Sequence, residues 1–324
     1  MKTRFPFCIY RAALAVMITL GCLTVSNTTY AQEKEREVSA TSFIFKPGGV
    51  SAKLNYFSSP VTDKKNEKIT NLVIVVHGTD RNPFTYHKNM RIAADLAGAS
   101  EYTLVIAPGF IMERDLNANK DLLSDDHIFW TNNGWKQGDG SVMTSRTNTR
   151  TVQMSSFEVM DSIVMKILTS GNFPNIRQTT IAGNSAGGQY VNRYLAGNLI
   201  HDKVRKSFGI EMKYLVAAPS TYTYLTAERP VIGSPGTYYI PADTSCGGEY
   251  NNYRHGIENF NEYMSKTGTE KFRSQYGLRQ VAYFVGALDN DPNHSQLDRS
   301  CAAMLQGRER KERAELFVEY LFHL

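Results

Sequence analysis

Ser185 lies in the run Thr180-Ile181-Ala182-Gly183-Asn184-Ser185-Ala186-Gly187-Gly188, where apolar residues give way to small ones and then to Gln189–Leu195. Glycines two positions before and two after the serine match G-x-S-x-G, the elbow that raises a serine at the tip of a strand-to-helix turn. Small side chains let strand and helix approach closely while the serine takes a strained backbone conformation. A serine placed this way is a nucleophile for acyl transfer.

Competing chemistries find no pattern to rest on. The seven histidines are scattered, with no His-x-x-x-His pair, and no Cys-x-x-Cys occurs, so neither a metal nor a cofactor is expected. The elbow also lacks the Gly-Lys-Ser or Gly-Lys-Thr ending of a nucleotide loop and is not a dinucleotide fingerprint.

Positioning such a serine requires a rigid sheet. Four apolar, largely β-branched runs predict strands at Leu72–Val76, Thr103–Ala107, Thr179–Ala182 and Tyr214–Ala218, and a fifth follows at Val281–Val285. Continuous runs of this length fit parallel strands covered on both faces. Helical stretches at Phe84–Ala97, Ser156–Leu168 and Ala186–Leu199 alternate with them, which predicts an α/β sheet with right-handed crossovers. Ser42–Phe45 and Ala52–Phe57, parted by Pro47-Gly48-Gly49, read as an opening hairpin. Two long irregular segments remain, 111–150 around Trp130 and Trp135 and the tyrosine-rich 221–278, and loops of that length carry function or form lids.

Residues 1–31 carry Lys2, Arg4 and Arg11 but no acid, then the apolar run Ala12–Leu20, then Thr29-Tyr30-Ala31. They read as a secretory signal peptide, too short in its apolar core for the roughly 20 residues of a membrane span. A competing reading makes Leu20-Gly21-Cys22 a lipoprotein box with Cys22 as the modified residue. Of the formal net charge of +5, three positive charges belong to this segment, so the basic balance gives no support to nucleic-acid binding. The remainder, residues 32–324, is expected to form one domain in a secreted or periplasmic protein. Outside the signal only Cys246 and Cys301 remain, which predicts one disulfide in an oxidising compartment, the alternative being two distant free thiols.

Together with Val75-Val76-His77-Gly78-Thr79-Asp80 at the end of an earlier strand, the elbow makes the chain resemble a secreted serine hydrolase of the α/β-hydrolase superfamily, like extracellular esterases and polyester-type depolymerases. The resemblance runs from Val73 to about Arg313 and implies a mostly parallel sheet flanked by helices, with a lid insertion at about 221–278. It implies that the backbone N–H groups of Thr79 and Ala186 form the oxyanion hole, each donor worth about 3 kcal/mol. His77 precedes the nucleophile, against the order serine, acid, histidine, and is expected to be structural. Tyr283–Asp291 resembles the acid loop, with Asp289 as the acid and Asp291 as runner-up. The base is then His323 or His294, or a histidine beyond Leu324 in a longer relative, because the helical Ser300–Leu305 and Glu312–Leu321 are followed by no last strand.

The expected reaction is cleavage of a carboxylic ester, in a small molecule or an extracellular polymer, through an acyl-enzyme on Ser185. The alternatives are a peptidase or polyamide depolymerase with the same nucleophile, and a catalytically inactive polymer-binding homologue. Tyr222, Tyr224, Tyr238, Tyr239, Tyr250, Tyr253, Phe260 and Tyr263 can grip a polymer or form the core of a lid. Trp130–Trp135 can line the cleft or anchor its loop, and Arg81, Lys88, Arg91, Arg146 and Arg150 can favour an anionic substrate or form solvated faces.

Overall fold

The apolar runs become the middle of a seven-stranded sheet. In chain order the computed structural model, which describes residues 37–145 and 149–324, has β1 (Ser42–Phe45), β2 (Ala52–Ser59), β3 (Asn71–Val76), β4 (Thr103–Pro108), β5 (Gln178–Asn184) and β6 (Glu211–Ala217). After β7 (Arg229–Pro230) and β8 (Tyr238–Tyr239), which pair only with each other, β9 (Gln280–Phe284) completes the sheet. The order is β1-β2-β4-β3-β5-β6-β9, parallel from β4 to β9 and antiparallel where the opening hairpin joins. Every residue of β4 is buried, as a parallel strand covered on both faces requires. The signal and lipoprotein readings of residues 1–31, Cys22 included, and Arg146 lie outside the described residues.

Helix α1 (Pro83–Leu96) packs through Tyr86 and Met90 on Val75, Val105 and Ala107, one face of the sheet. Short α2 (Glu113–Ala118) follows β4, and α3 (Ser156–Thr169) starts where the Ser155 hydroxyl accepts the Phe157 N–H at 3.1 Å. With α4 (Ala186–Gly197), α3 buries Phe157, Ile163, Tyr190 and Tyr194 against the alternate residues of the strands, Ile74, Val76, Leu104 and Ile106. Helices α5 (His201–Phe208), α6 (Glu262–Thr267), α7 (Thr269–Tyr276), α8 (Cys301–Met304) and α9 (Arg310–His323) complete the layers. Among the described residues no helix is long and apolar enough to cross a membrane.

The tyrosines of 221–278 resolve toward core. Tyr222 stacks on Phe317 of α9 with ring centroids 4.3 Å apart, and Tyr224 lies 4.6 Å from Tyr320. Tyr250 and Tyr263 are buried too, and only Tyr239 of the set is well exposed. Cys246 and Cys301 form a disulfide, tying this segment to the start of α8.

Candidate active site

Ser185 occupies the turn between β5 and α4 with φ 57° and ψ −118°. A non-glycine residue rarely adopts a positive φ, and holding it there costs about 1–3 kcal/mol, supplied by surrounding order. That order is visible: the Ser185 N–H donates to Ala217 O of β6 at 2.9 Å, and Gln189 N–H donates to Ser185 O at 3.0 Å. A Cβ on Gly183 would collide with the Gly187 carbonyl, and one on Gly187 would collide with the Val76 carbonyl at the end of β3. The two glycines of the motif are therefore what bring β3, β5 and the start of α4 together.

His77 closes the same junction from the β3 side. It is fully buried, its Nδ1–H donating to Gly78 O at 2.9 Å and its Nε2 accepting the Phe110 N–H at 2.9 Å, a tautomer inferred from those partners. Burial above all pushes its pKa down to about 4, so the ring is neutral. It is structural, as expected of a histidine ahead of the nucleophile. Thr79, two residues on, is held at its carbonyl by Arg81 Nη1 (2.7 Å), while Arg81 Nε meets Asp115 at 2.5 Å.

Thr79, Ser185 and Ala186 line one cleft of about 280 Å³. Its other walls come from Asn132, Asn133, Lys136 and Gln137, from Gln189 and Arg193 of α4, and from Ser220 and Arg254. The segment Ser295–Asp298 closes it. Asp298 Oδ2 accepts from Arg254 at 3.3 Å and Oδ1 from Ser300 N–H at 2.9 Å. Burial raises its pKa, but the Ser300 hydrogen bonds and the His255 and Arg254 charges outweigh that and hold it below the usual range. Burial, then the charges of Arg193 and Arg254, push Lys136 down to about 8.

The remaining site residues read from the sequence lie elsewhere. Asp289, in the loop after β9, accepts from Arg310 Nη1 at 3.2 Å, and Asp291 caps its own turn by accepting the Asn293 N–H at 2.8 Å. His294 Nδ1 accepts the Gln296 N–H at 3.1 Å and is exposed. His323, at the end of α9, stacks on Tyr238 with centroids 4.1 Å apart and approaches Glu228 at 3.6 Å. The structure brings Ser185, Ala186 and Thr79 into one cleft and does not bring Asp289, Asp291, His294 or His323 to its lining. The reason for His323 is α9 itself, whose Phe317 and Tyr320 pack into the aromatic core and aim its last turn at Tyr238.

Of the cations singled out in the sequence, Arg81 pairs with Asp115, Lys88 lies 6.0 Å above the Phe84 ring and Arg150 is buried over Phe129. Among the described residues none of these cations lines the cleft; Lys136, Arg193 and Arg254 do. Trp130 and Trp135 are core, while Asn132 and Asn133 between them reach the cleft. Gln189 and Arg193 had a signal in the sequence: at four and eight residues past Ser185 they fall on the same helix face.

No family model matches the sequence, and no curated protein matches it either. Among solved structures, poly(aspartic acid) hydrolase-1 from Sphingomonas sp. KT-1 is similar at 22% identity and a TM-score of 0.53, over 87% of this chain and 84% of that one. A poly(3-hydroxybutyrate) depolymerase from Bordetella parapertussis is similar at 19% identity and a TM-score of 0.50, over 86% and 76%. This chain has the α/β-hydrolase fold. In that fold the serine elbow follows the strand beside the one that carries the oxyanion turn, and here Ser185 follows β5 while Thr79 follows the adjacent β3.

Proposed function

We propose that this chain is an exported serine hydrolase that cleaves a carboxylic ester through an acyl-enzyme on Ser185. The observation that carries the reading is Ser185 at φ 57° on the β5–α4 turn, in one cleft with Thr79 and Ala186. Ser185 Oγ attacks the carbonyl carbon as a general base takes its proton, the Thr79 and Ala186 N–H groups hold the oxyanion, the base passes that proton to the departing alcohol, and water activated by the same base releases the acid. The resemblance of the loop after β9 to an acid loop favours Asp289 as acid, and the order serine, acid, histidine leaves His323, with His294 as the alternative, as base. Asp289 and His323 have other partners, so they act only by leaving Arg310 and Tyr238. The Cys246–Cys301 disulfide supports an oxidising compartment outside the cytoplasm.

Two further readings have an observation behind each. The two similar structures bear the names of a poly(aspartic acid) hydrolase and a poly(3-hydroxybutyrate) depolymerase, which favours a polymer, joined by amide or ester bonds, as the substrate. Among the described residues no imidazole lines the cleft, which favours an inactive binding homologue. Labelling with a fluorophosphonate probe, native chain against Ser185→Ala, decides. Ser185-dependent labelling is expected; its absence sinks the hydrolase reading, and labelling without ester turnover redirects the search to amides.

A further inference from the structure

The Ser185 cleft is lined by three cations and one carboxylate, and the cations are poorly compensated. Arg193 is fully buried, yet its direct partners are all neutral: Lys136 O at 3.0 Å, Gln189 Oε1 at 3.2 Å and Thr221 Oγ1 at 3.2 Å. Its Nε is buried with no partner at all. Arg254 shares Asp298 with the Ser300 N–H and reaches Gln137 only at 3.5 Å. Lys136 Nζ makes no ion pair or hydrogen bond among the described residues, although the amine is partly buried and feels the charges of both arginines. Asp139, the next carboxylate, is engaged by the side-chain amides of Gln137 and Asn261.

Like charges gathered out of bulk water repel one another strongly, and the lowered pKa of Lys136 reports that repulsion together with burial. An anion entering the cleft relieves it, and gains charge-assisted hydrogen bonds from donors already in place. The rest of the lining points the same way: amides and hydroxyls predominate, and Leu297 and Ala186 are its only aliphatic side chains. A long hydrocarbon acyl chain would find little to pack against and would strip water from the cations without replacing it.

We propose that the cleft selects substrates whose acyl unit carries a free carboxylate a few carbons from the scissile bond, with Lys136 and Arg254 holding that carboxylate and buried Arg193 adding its charge. This rests on Ser185 as nucleophile and names the substrate class of that reading: esters of dicarboxylic or other acid-bearing units rather than of neutral fatty acids. Lys136 is then a specificity residue, because its charge acts on one substrate of a matched pair and not on the other.

The test uses the full chain and two esters of equal length, mono-para-nitrophenyl adipate and para-nitrophenyl hexanoate, with adipate and hexanediol as uncleavable probes in calorimetry. The adipate ester is expected to be preferred in kcat/KM by about tenfold or more, the ratio falling about tenfold in Lys136→Gln and recovering in Lys136→Arg. Adipate is expected to bind more tightly than hexanediol, and less tightly to Lys136→Gln and Arg254→Gln, with circular dichroism confirming that each variant is folded. Ser185-dependent cleavage of both esters without preference, with adipate binding indifferent to Lys136, overturns the subsite and leaves the nucleophile standing. Adipate binding that needs Lys136, with neither ester cleaved, overturns the nucleophile and leaves the subsite standing. Hexanediol binding as well as adipate, with no effect of either variant, overturns the proposal whatever the esters do.

Discussion

His77 accepts the backbone N–H of Phe110 at 2.9 Å, and this contact joins the turn after β3 to the segment after β4. It commits the buried ring to its neutral form, and the same ring holds Gly78 O, one residue before the proposed oxyanion donor Thr79. Replacing His77 by Ala strands a buried N–H, costs roughly 1–3 kcal/mol for that group alone, and frees the turn. Urea titration should show the loss of stability, and fluorophosphonate labelling of Ser185 should slow by more than the unfolded fraction accounts for. Labelling at the native rate would remove His77 from any role in holding Thr79.

The same ring predicts an acid limb. Burial lowers the pKa of His77, His87 and His201, each to about 4, and lowers His255 as well. Depressed folded-state values mean that the unfolded chain binds more protons, so these groups' contribution is whole above about 6.5 and is lost as pH falls toward 4. Thermal unfolding between those limits should show Tm falling with pH, and His201→Gln should make the fall shallower.

Asp161 has the opposite sign. Its carboxylate accepts the Tyr194 hydroxyl at 2.7 Å and the Tyr263 hydroxyl at 2.6 Å, bridging α3, α4 and α6. Burial raises its pKa to about 7, against the pull of the two hydroxyls. A raised folded value favours the protonated fold, so the contribution is complete below the unfolded carboxylate pKa and is lost as pH rises through about 7, at most about 4 kcal/mol. In Asp161→Asn the slope near neutral pH should flatten, at an overall cost of about 1–3 kcal/mol because one amide oxygen serves two hydroxyls. An unchanged slope would mean that the carboxyl ionises normally.

The strands around Ser185 were legible because their surroundings are uniform. A parallel strand covered on both faces is largely apolar where it is buried, as residues 72–76 of β3, 104–107 of β4 and 181–182 of β5 are. The start of β6 was not, since Glu211 and Lys213 alternate with buried Met212 and Tyr214 and interrupt the apolar run. The elbow was legible because packing forces its residue types: at Gly183 and Gly187 a Cβ meets backbone that cannot move aside. The charged lining was legible only in part: helical spacing puts Arg193 on the face of Ser185, but Lys136 and Arg254 come from two other segments and meet it only in the folded chain. The tyrosines of 221–278 suggested a binding surface by number alone, while their partners Phe317 and Tyr320 stand far off in sequence and turn most of them into core.

Arg254 and Gln137 line both the Ser185 cleft and a neighbouring hollow whose wall includes Cys246 and Cys301. The disulfide closes a separation of 55 residues, which the loop-entropy relation values at roughly 4 kcal/mol against the unfolded chain. It also restrains the segment that presents Arg254, whose guanidinium otherwise depends on one carboxylate contact at 3.3 Å and one amide at 3.5 Å. Cys246→Ser/Cys301→Ser should therefore lose about 2–4 kcal/mol of stability and, separately, bind adipate more weakly at temperatures where it remains folded. Equal adipate binding with lowered Tm would make the bridge a staple for the fold alone, whereas weakened binding makes it part of what holds the cleft's cations in place.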